Sequence, residues 1–420
     1  MRLIDLTLLV VVAGGLGVQA ADVAARAEPA GLATTIAALT APRLAGRGSA
    51  TAGERDAAAL VAAWFAEAGL APAGPDESGW FQAFALPGAA EGDSSLNVLG
   101  CVPGCGDLED RWIVVGAHLD HLGRVDPRGK GVPAPGEYYP GAGDNASGVA
   151  VLRHVAVEAV ATRQDPGARR SLLVCAFGAE EVGLLGSAWF AANPPVPPGQ
   201  VDAMVNLDAV GKLGAGPLHV AGLETCPLLP DLIAAAAGDL PVRSQDPSLV
   251  RSDHASFLAH GIPALFLFTG AYPEMNSTAD SLGAVDLDGL ARVAEVAVRL
   301  VDGLRRASGR FTFVAPPESA PLLDAGNRQT WLGTVPDFEA TSGSGYVVGD
   351  VIAGGPAALA GLRAGDVLRQ LGGAEVAGLA GFTEALRRHD PGDIVEIRVE
   401  RDGRLLGFFV TLGDRSQRPR

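Results

Sequence analysis

Apolar runs separated by polar clusters set out the first 306 residues. Gly53 to Gly69 carries Ala57, Leu60, Val61, Trp64, Phe65 and Ala68 at helical spacing, and Gly69 stops the helix. Phe81–Leu86 and Asn97–Val102 read as strands. Three further apolar runs each end at metal-binding side chains. Trp112–Ala117 leads into His118-Leu-Asp120-His121, Ser171–Phe177 into Gly178-Ala-Glu180-Glu181, and Ala203–Leu207 into Asp208. Near-continuous apolar runs of this length suit parallel strands buried on both faces. Helical patterns separate them: a helix after Ser147, which is placed to cap it, then Leu184–Asn193, Pro227–Ala237 and Leu287–Arg306. Leu265–Phe268 is one more buried strand. The alternation predicts an α/β fold with a mostly parallel sheet flanked by helices. Ligands in such sheets bind beyond the carboxyl ends of the strands, where these polar clusters fall.

The pattern changes after Gly309. A Pro-rich linker, residues 310–329, precedes a small β-rich module over residues 330–415. Its β-like runs are Tyr346–Ile352, Val367–Leu371, Ile394–Glu400 and Leu405–Leu412, with helical pieces at Pro356–Ala360 and Phe382–Arg388. Residues 21–309 form the larger domain. Residues 1–20 resemble a secretory signal, with Arg2, an apolar core from Leu6 to Val12, and Val18-Gln-Ala20 ending in small residues. The expectation is an exported protein, periplasmic or extracellular, with no stable membrane span after cleavage.

The net charge of -16 argues against a nucleic-acid partner, because phosphate binding needs clustered Lys and Arg. Of four cysteines, Cys101 and Cys105 could close a small loop in an oxidising compartment, and Cys175 reads as core. Arg124–Tyr139 is a long Gly- and Pro-rich loop between two site segments.

His118, Asp144, Glu181 and Asp208 are the candidate metal ligands. Buried carboxylates and an imidazole at strand ends repel one another unless cations neutralise them, and this donor set suits zinc. Glu180, beside a ligand, suits a general base. Asp120, two residues after His118, reads either as a support that holds the imidazole or as a turn residue.

His118-Leu-Asp-His-Leu-Gly, Gly143-Asp-Asn-Ala-Ser-Gly-Val, Phe177-Gly-Ala-Glu-Glu-Val-Gly-Leu-Leu-Gly-Ser and Asn206-Leu-Asp208 resemble the zinc exopeptidases of the bacterial leucyl aminopeptidase, aminopeptidase Y and glutamate carboxypeptidase type. The resemblance spans roughly residues 32–306 and includes Leu44-Ala-Gly-Arg-Gly48. It implies two zinc ions, one on His118, Asp144 and Asp208. The other would sit on Asp144 as bridge, Glu181, and a His after the last strand. Glu180 would be the base, and the reaction would remove amino-terminal residues from peptides. The last ligand departs from the family pattern: aligning on Asp280 puts Asn276 where the imidazole belongs, and Tyr272 replaces an earlier His. An amide oxygen is a weaker zinc ligand, so the second site is expected to be weakened, with His254 or Tyr272 as conceivable substitutes. The alternative is a catalytically impaired, peptide-binding relative. Glutaminyl cyclisation on the same fold is disfavoured because His118 is kept.

The second module resembles a PDZ domain of the bacterial type, through Trp331-Leu-Gly-Thr-Val-Pro336, Pro356-Ala-Ala-Leu-Ala-Gly-Leu-Arg-Ala-Gly-Asp366 and Pro391-Gly-Asp-Ile-Val. That resemblance implies binding of a peptide or protein C-terminus, with the amides of Leu332 and Gly333 receiving the carboxylate.

Overall fold

The computed structural model describes residues 28–87, 94–124, 137–197, 199–245, 247, 252–270, 272, 274–315, 330–337 and 345–414. The signal-like residues 1–20, most of the 124–139 loop and residues 316–329 of the linker lie outside the described residues.

The larger domain is a nine-stranded mixed sheet. Its strands are β1 (Ala71–Pro72), β2 (Phe81–Ala85), β3 (Ser94–Val102), β4 (Trp112–His118), β5 (Ser171–Phe177), β6 (Val201–Leu207), β7 (Leu218–Ala221), β8 (Val242–Gln245) and β9 (Ala264–Phe268). The order is β1-β3-β5-β4-β6-β9-β7-β8, with β2 on β3. The centre, β5-β4-β6-β9, is parallel. The β3–β5 and β7–β9 pairs on either side are antiparallel, so the expected parallel sheet is the middle of a mixed one.

Helices α1 (Pro29–Leu39), α2 (Ala52–Ala68), α3 (Ser147–Ala161), α4 (Leu185–Ala192), α5 (Leu229–Ala237), α6 (His254–Leu258) and α7 (Leu287–Arg306) cover the sheet. Alternate strand residues serve opposite faces. Ile113, Val115, Leu172, Val174 and Val205 join one core with α1, α2, α3, α5 and α7, whereas Val114, Leu173, Phe177 and Met204 join another with Phe190 of α4 and Phe257 of α6. That double burial is why these strands lack a polar face.

Two sequence expectations change. Ser147 is the first residue of α3 rather than its cap: its hydroxyl donates to the Gly143 carbonyl at 2.6 Å, and the Asn145 side-chain oxygen accepts from Gly148 N at 2.9 Å instead. All four cysteines are free, and the Cys105 thiol donates to the Gly167 carbonyl.

The second domain is a small antiparallel β structure. It contains β10 (Thr330–Trp331), β11 (Thr334–Pro336), β12 (Tyr346–Val351), β13 (Val367–Leu371), β14 (Ala374–Glu375), β15 (Ile394–Arg401), β16 (Arg404–Thr411) and β17 (Gly413–Asp414), with helices α8 (Pro356–Leu359) and α9 (Gly378–Leu386). The main sheet runs β11-β12-β13-β15-β16, so β11 and β16 are its two ends. The β16 end is turned to the larger domain. Phe409 packs on Phe266 and Phe268, with ring centroids 6.1 and 5.7 Å apart, in a cluster that includes Ile394, Tyr272 and Met275.

Candidate metal centre

The parallel centre of the sheet brings the predicted donors to one edge. His118 closes β4, Glu180 and Glu181 follow β5, and Asp208 follows β6. The His118 Nε2 atom lies 3.1 Å from Asp208 Oδ1 and 3.2 Å from Asp144 Oδ1. His118, Asp144 and Glu181 offer ligand atoms all within 4.8 Å of one another. Asp144 arrives from the turn before α3. That turn is held by Asp280, whose carboxylate accepts from Gly143 N at 2.8 Å and Asp144 N at 3.1 Å. Gly143 is required there, because a Cβ would fall 2.4 Å from the Tyr272 hydroxyl.

The electrostatics are those of a largely buried anionic pocket. Burial pushes the Glu180 carboxyl well above the usual range; His118 opposes this, while Asp208, Glu181 and Asp253 add to it. Burial likewise raises Glu181, reinforced by Asp144 and opposed by His121. For His118, burial favours the neutral ring, but Asp208, Glu180 and their neighbours outweigh it and hold the imidazole well above its ordinary value. A divalent cation relieves each of these conflicts at once, and the carboxylate and imidazole donors fit zinc.

Asp120 meets both the imidazole and the glutamate turn. Its backbone oxygen, not its carboxylate, lies 3.2 Å from His118 Nδ1, while Oδ1 stays 3.8 Å away. The carboxylate instead accepts from Glu180 N at 3.0 Å, Glu181 N at 3.4 Å and the Ser49 hydroxyl at 2.8 Å. It therefore sets the turn that presents the two glutamates.

Asn276 is buried, but its amide nitrogen donates to the Gly407 carbonyl on β16, and its side-chain oxygen has no partner. Its neighbour Met275, not Asn276, lines the chamber over the donors. Of the suggested substitutes, Tyr272 is engaged with Asp280 at 3.3 Å and His254 is stacked on Phe266 at 4.8 Å. The imidazole beside Glu181 is His121, whose Nδ1 lies 2.6 Å from Glu181 Oε1 while Nε2 is buried without a partner.

His121 and Arg47 are the site residues that pattern reading passed over. The buried Arg47 guanidinium donates to the carbonyls of Leu39, Leu119, Pro140 and Gly141 at 2.7 to 3.0 Å, tying three site segments together. Burial lowers its pKa to about 10 against the pull of Asp120, Asp280, Asp144 and Glu181. The signals were in the sequence: a second His in the first cluster, and an Arg inside an otherwise small-residue segment.

The second domain roofs this centre. A chamber of about 50 Å³ is bounded below by Asp144, Glu180, Glu181 and Asp208 and above by Glu396, Arg398, Leu405, Leu406, Gly407 and Phe409. On the PDZ-like side, Leu332 is buried and Gly333 adopts φ 87°. Their carbonyls accept from Ala357 N and Ile352 N at 2.8 Å.

A mixed α/β sheet with this donor set at its strand ends is the arrangement expected of a zinc exopeptidase domain. Residues 97–301 match the profile of Peptidase family M28 and residues 329–412 that of the PDZ domain. The chain thus carries a peptidase family M28 domain followed by a PDZ domain. A probable leucine aminopeptidase of Trichophyton verrucosum (strain HKI 0517) is 28% identical over 224 residues, covering 50% of this chain and 58% of that relative. The chain therefore matches little more than half the length of that curated relative. Among solved structures, a zinc aminopeptidase from Bacillus subtilis is similar with TM-score 0.52 and 17% identity over 68% of this chain and 98% of that one. Porphyromonas gingivalis glutaminyl cyclase is similar with TM-score 0.53 and 20% identity, over 66% and 98% of the two chains. These two likenesses establish the shared fold, which serves both a peptidase and a cyclase.

Proposed function

We propose that the chain is an exported, zinc-dependent aminopeptidase that removes amino-terminal residues from peptides. The observation that carries this reading is the convergence of Glu180 with His118, Asp144, Glu181 and Asp208 at the strand ends of one sheet. His118, Asp144 and Asp208 would hold one metal, and Asp144 and Glu181 the second. Bound zinc polarises a carbonyl and lowers the pKa of water. Glu180, held on the turn set by Asp120, takes the proton from the attacking water and passes it to the leaving amine.

Asn276 would leave the second position short of its family ligand, and His121, 2.6 Å from Glu181, is the imidazole that would take its place. Asn276 turned to Gly407 also favours the alternative of an impaired, peptide-binding relative. The apolar run at Leu6–Val12 before Ala20 supports export, and no helix among the described residues is long and apolar enough to cross a membrane. At the terminal strand β11, the amides of Leu332 and Gly333 would receive a peptide carboxylate by strand addition.

The test is chelation and zinc re-addition. The aminopeptidase reading expects amino-acid release from unblocked peptides to vanish with chelator, to return with zinc, and to fail on amino-terminally acetylated peptides. Zinc-independent release, or cleavage of the acetylated peptide at the same rate, would contradict it.

A further inference from the structure

Beside the chamber lies a larger cavity of about 770 Å³, walled by both domains. The two spaces share Glu181, Arg398, Leu405 and Leu406 in their walls, so they adjoin at the metal centre. Among the described residues, its lining sets Arg43, Arg124, Arg398 and Arg404 against the one carboxylate of Glu181. This is a concentrated cationic surface on a chain of net charge -16. Two of the arginines belong to the PDZ hairpin. Arg398 is fixed by its Nε hydrogen bond to Glu396 Oε1 at 2.7 Å. Arg404 lies over the Tyr139 ring at 6.0 Å, and its buried Nη1 has no hydrogen-bond partner among the described residues. A buried guanidinium nitrogen without an acceptor is a vacant position for an anion, and the guanidinium fork matches a carboxylate.

We infer that the PDZ hairpin completes the peptidase with a carboxylate-binding subsite. Substrates are then short peptides whose amino terminus enters the metal chamber while a carboxylate further along is held by Arg404 and Arg398. This rests on the aminopeptidase reading and narrows its substrate class. A peptide offers only two kinds of carboxylate, its carboxyl terminus and an Asp or Glu side chain. The terminus falls in the cavity only when the peptide is short, which ties chain length to turnover. The hairpin that shapes this subsite is the opposite end of the PDZ sheet from β11, so the two binding surfaces do not compete.

The experiment compares Leu-Gly-Gly, its carboxyl-terminal amide, and the amide of Leu-Glu-Gly, on the zinc-loaded full chain. Wild type is expected to favour the free acid over the amide by about tenfold or more in kcat/KM, mainly through KM, as for a charge-assisted pair. Arg404→Gln is expected to bring the acid-to-amide ratio close to one, and Arg404→Lys to restore part of it. Recovery of the amide by the internal Glu would support the subsite with the side-chain carboxylate as its ligand. Equal turnover of acid and amide by wild type, or an unchanged ratio in Arg404→Gln, would overturn the inference. If none of the peptides is cleaved, the aminopeptidase reading fails while the subsite is still decided by calorimetry. Tighter binding of the acid than of the amide supports the subsite, and equal binding removes it.

Discussion

The metal centre has two sides built in different ways. On the sheet side, His118, Asp144 and Asp208 sit at or beside the ends of elements locked by the parallel strands and by Asp280, so their positions follow from the core. On the other side, Glu181, His121, Asn276 and the PDZ hairpin come from turns and a second domain. The first side brings together the three donors the sequence leads one to expect. The second has Asn276 where the family pattern leads one to expect an imidazole, has His121 against Glu181, and is roofed by β16. The difference teaches that a site anchored on strand ends is held by packing, whereas its loop side is free to be rebuilt, because changing it disturbs little of the core.

Several substitutions break or sharpen this contrast. The largest effect belongs to Glu180, where removal of the carboxylate costs roughly 10²–10⁴ in kcat for a general base, read from steady-state rates at matched metal content. Next is Asp120→Asn, which weakens the turn presenting both glutamates. Metal affinity should fall roughly 10–100-fold, as for partners that orient ligands, measured by competition with a chromophoric chelator. Then comes the loop side itself. With His121 as the replacement ligand, wild type binds two zinc ions per chain, and His121→Ala lowers this toward one by elemental analysis. Asn276→His in that background should restore it only if the side chain leaves Gly407. Two zinc ions retained in His121→Ala would remove His121 from the donor set.

The smallest effect concerns stability. Burial, then Asp120, raises the Glu54 carboxyl from 4.5 to about 8, against hydrogen bonds from Ser95, Ala50 and Ala179. A carboxyl raised by folding contributes fully below the unfolded value of 4.5, and that contribution is lost as pH rises toward about 8. Glu54→Gln should therefore lose less melting temperature than wild type across that interval, followed by calorimetry. A parallel fall in both proteins would mean that Glu54 is already ionised in the folded state.

Much of the sheet side was legible from residues alone. Strands buried on both faces must be apolar throughout, so the point where each run stops marks its carboxyl end, and the polar residues there declare the site. The PDZ module was legible through its glycines and its Pro356–Asp366 segment. Three features were not. The role of Asp120 depends on where the Glu180–Glu181 turn folds back, which spacing along β4 does not encode. Ser147 had the composition of a cap, but Asn145 reaches the free amide first. The meeting of His121 with Glu181, and of Arg398 and Arg404 with the metal chamber, depends on contacts between segments 60 or more residues apart in sequence.

The most direct test of the central claim is product analysis of an unblocked peptide incubated with zinc-loaded wild type and with Glu180→Gln carrying the same measured zinc. The account predicts release of the free amino-terminal residue by wild type and its near loss in the variant. No release by wild type, or equal release by both proteins, would contradict it.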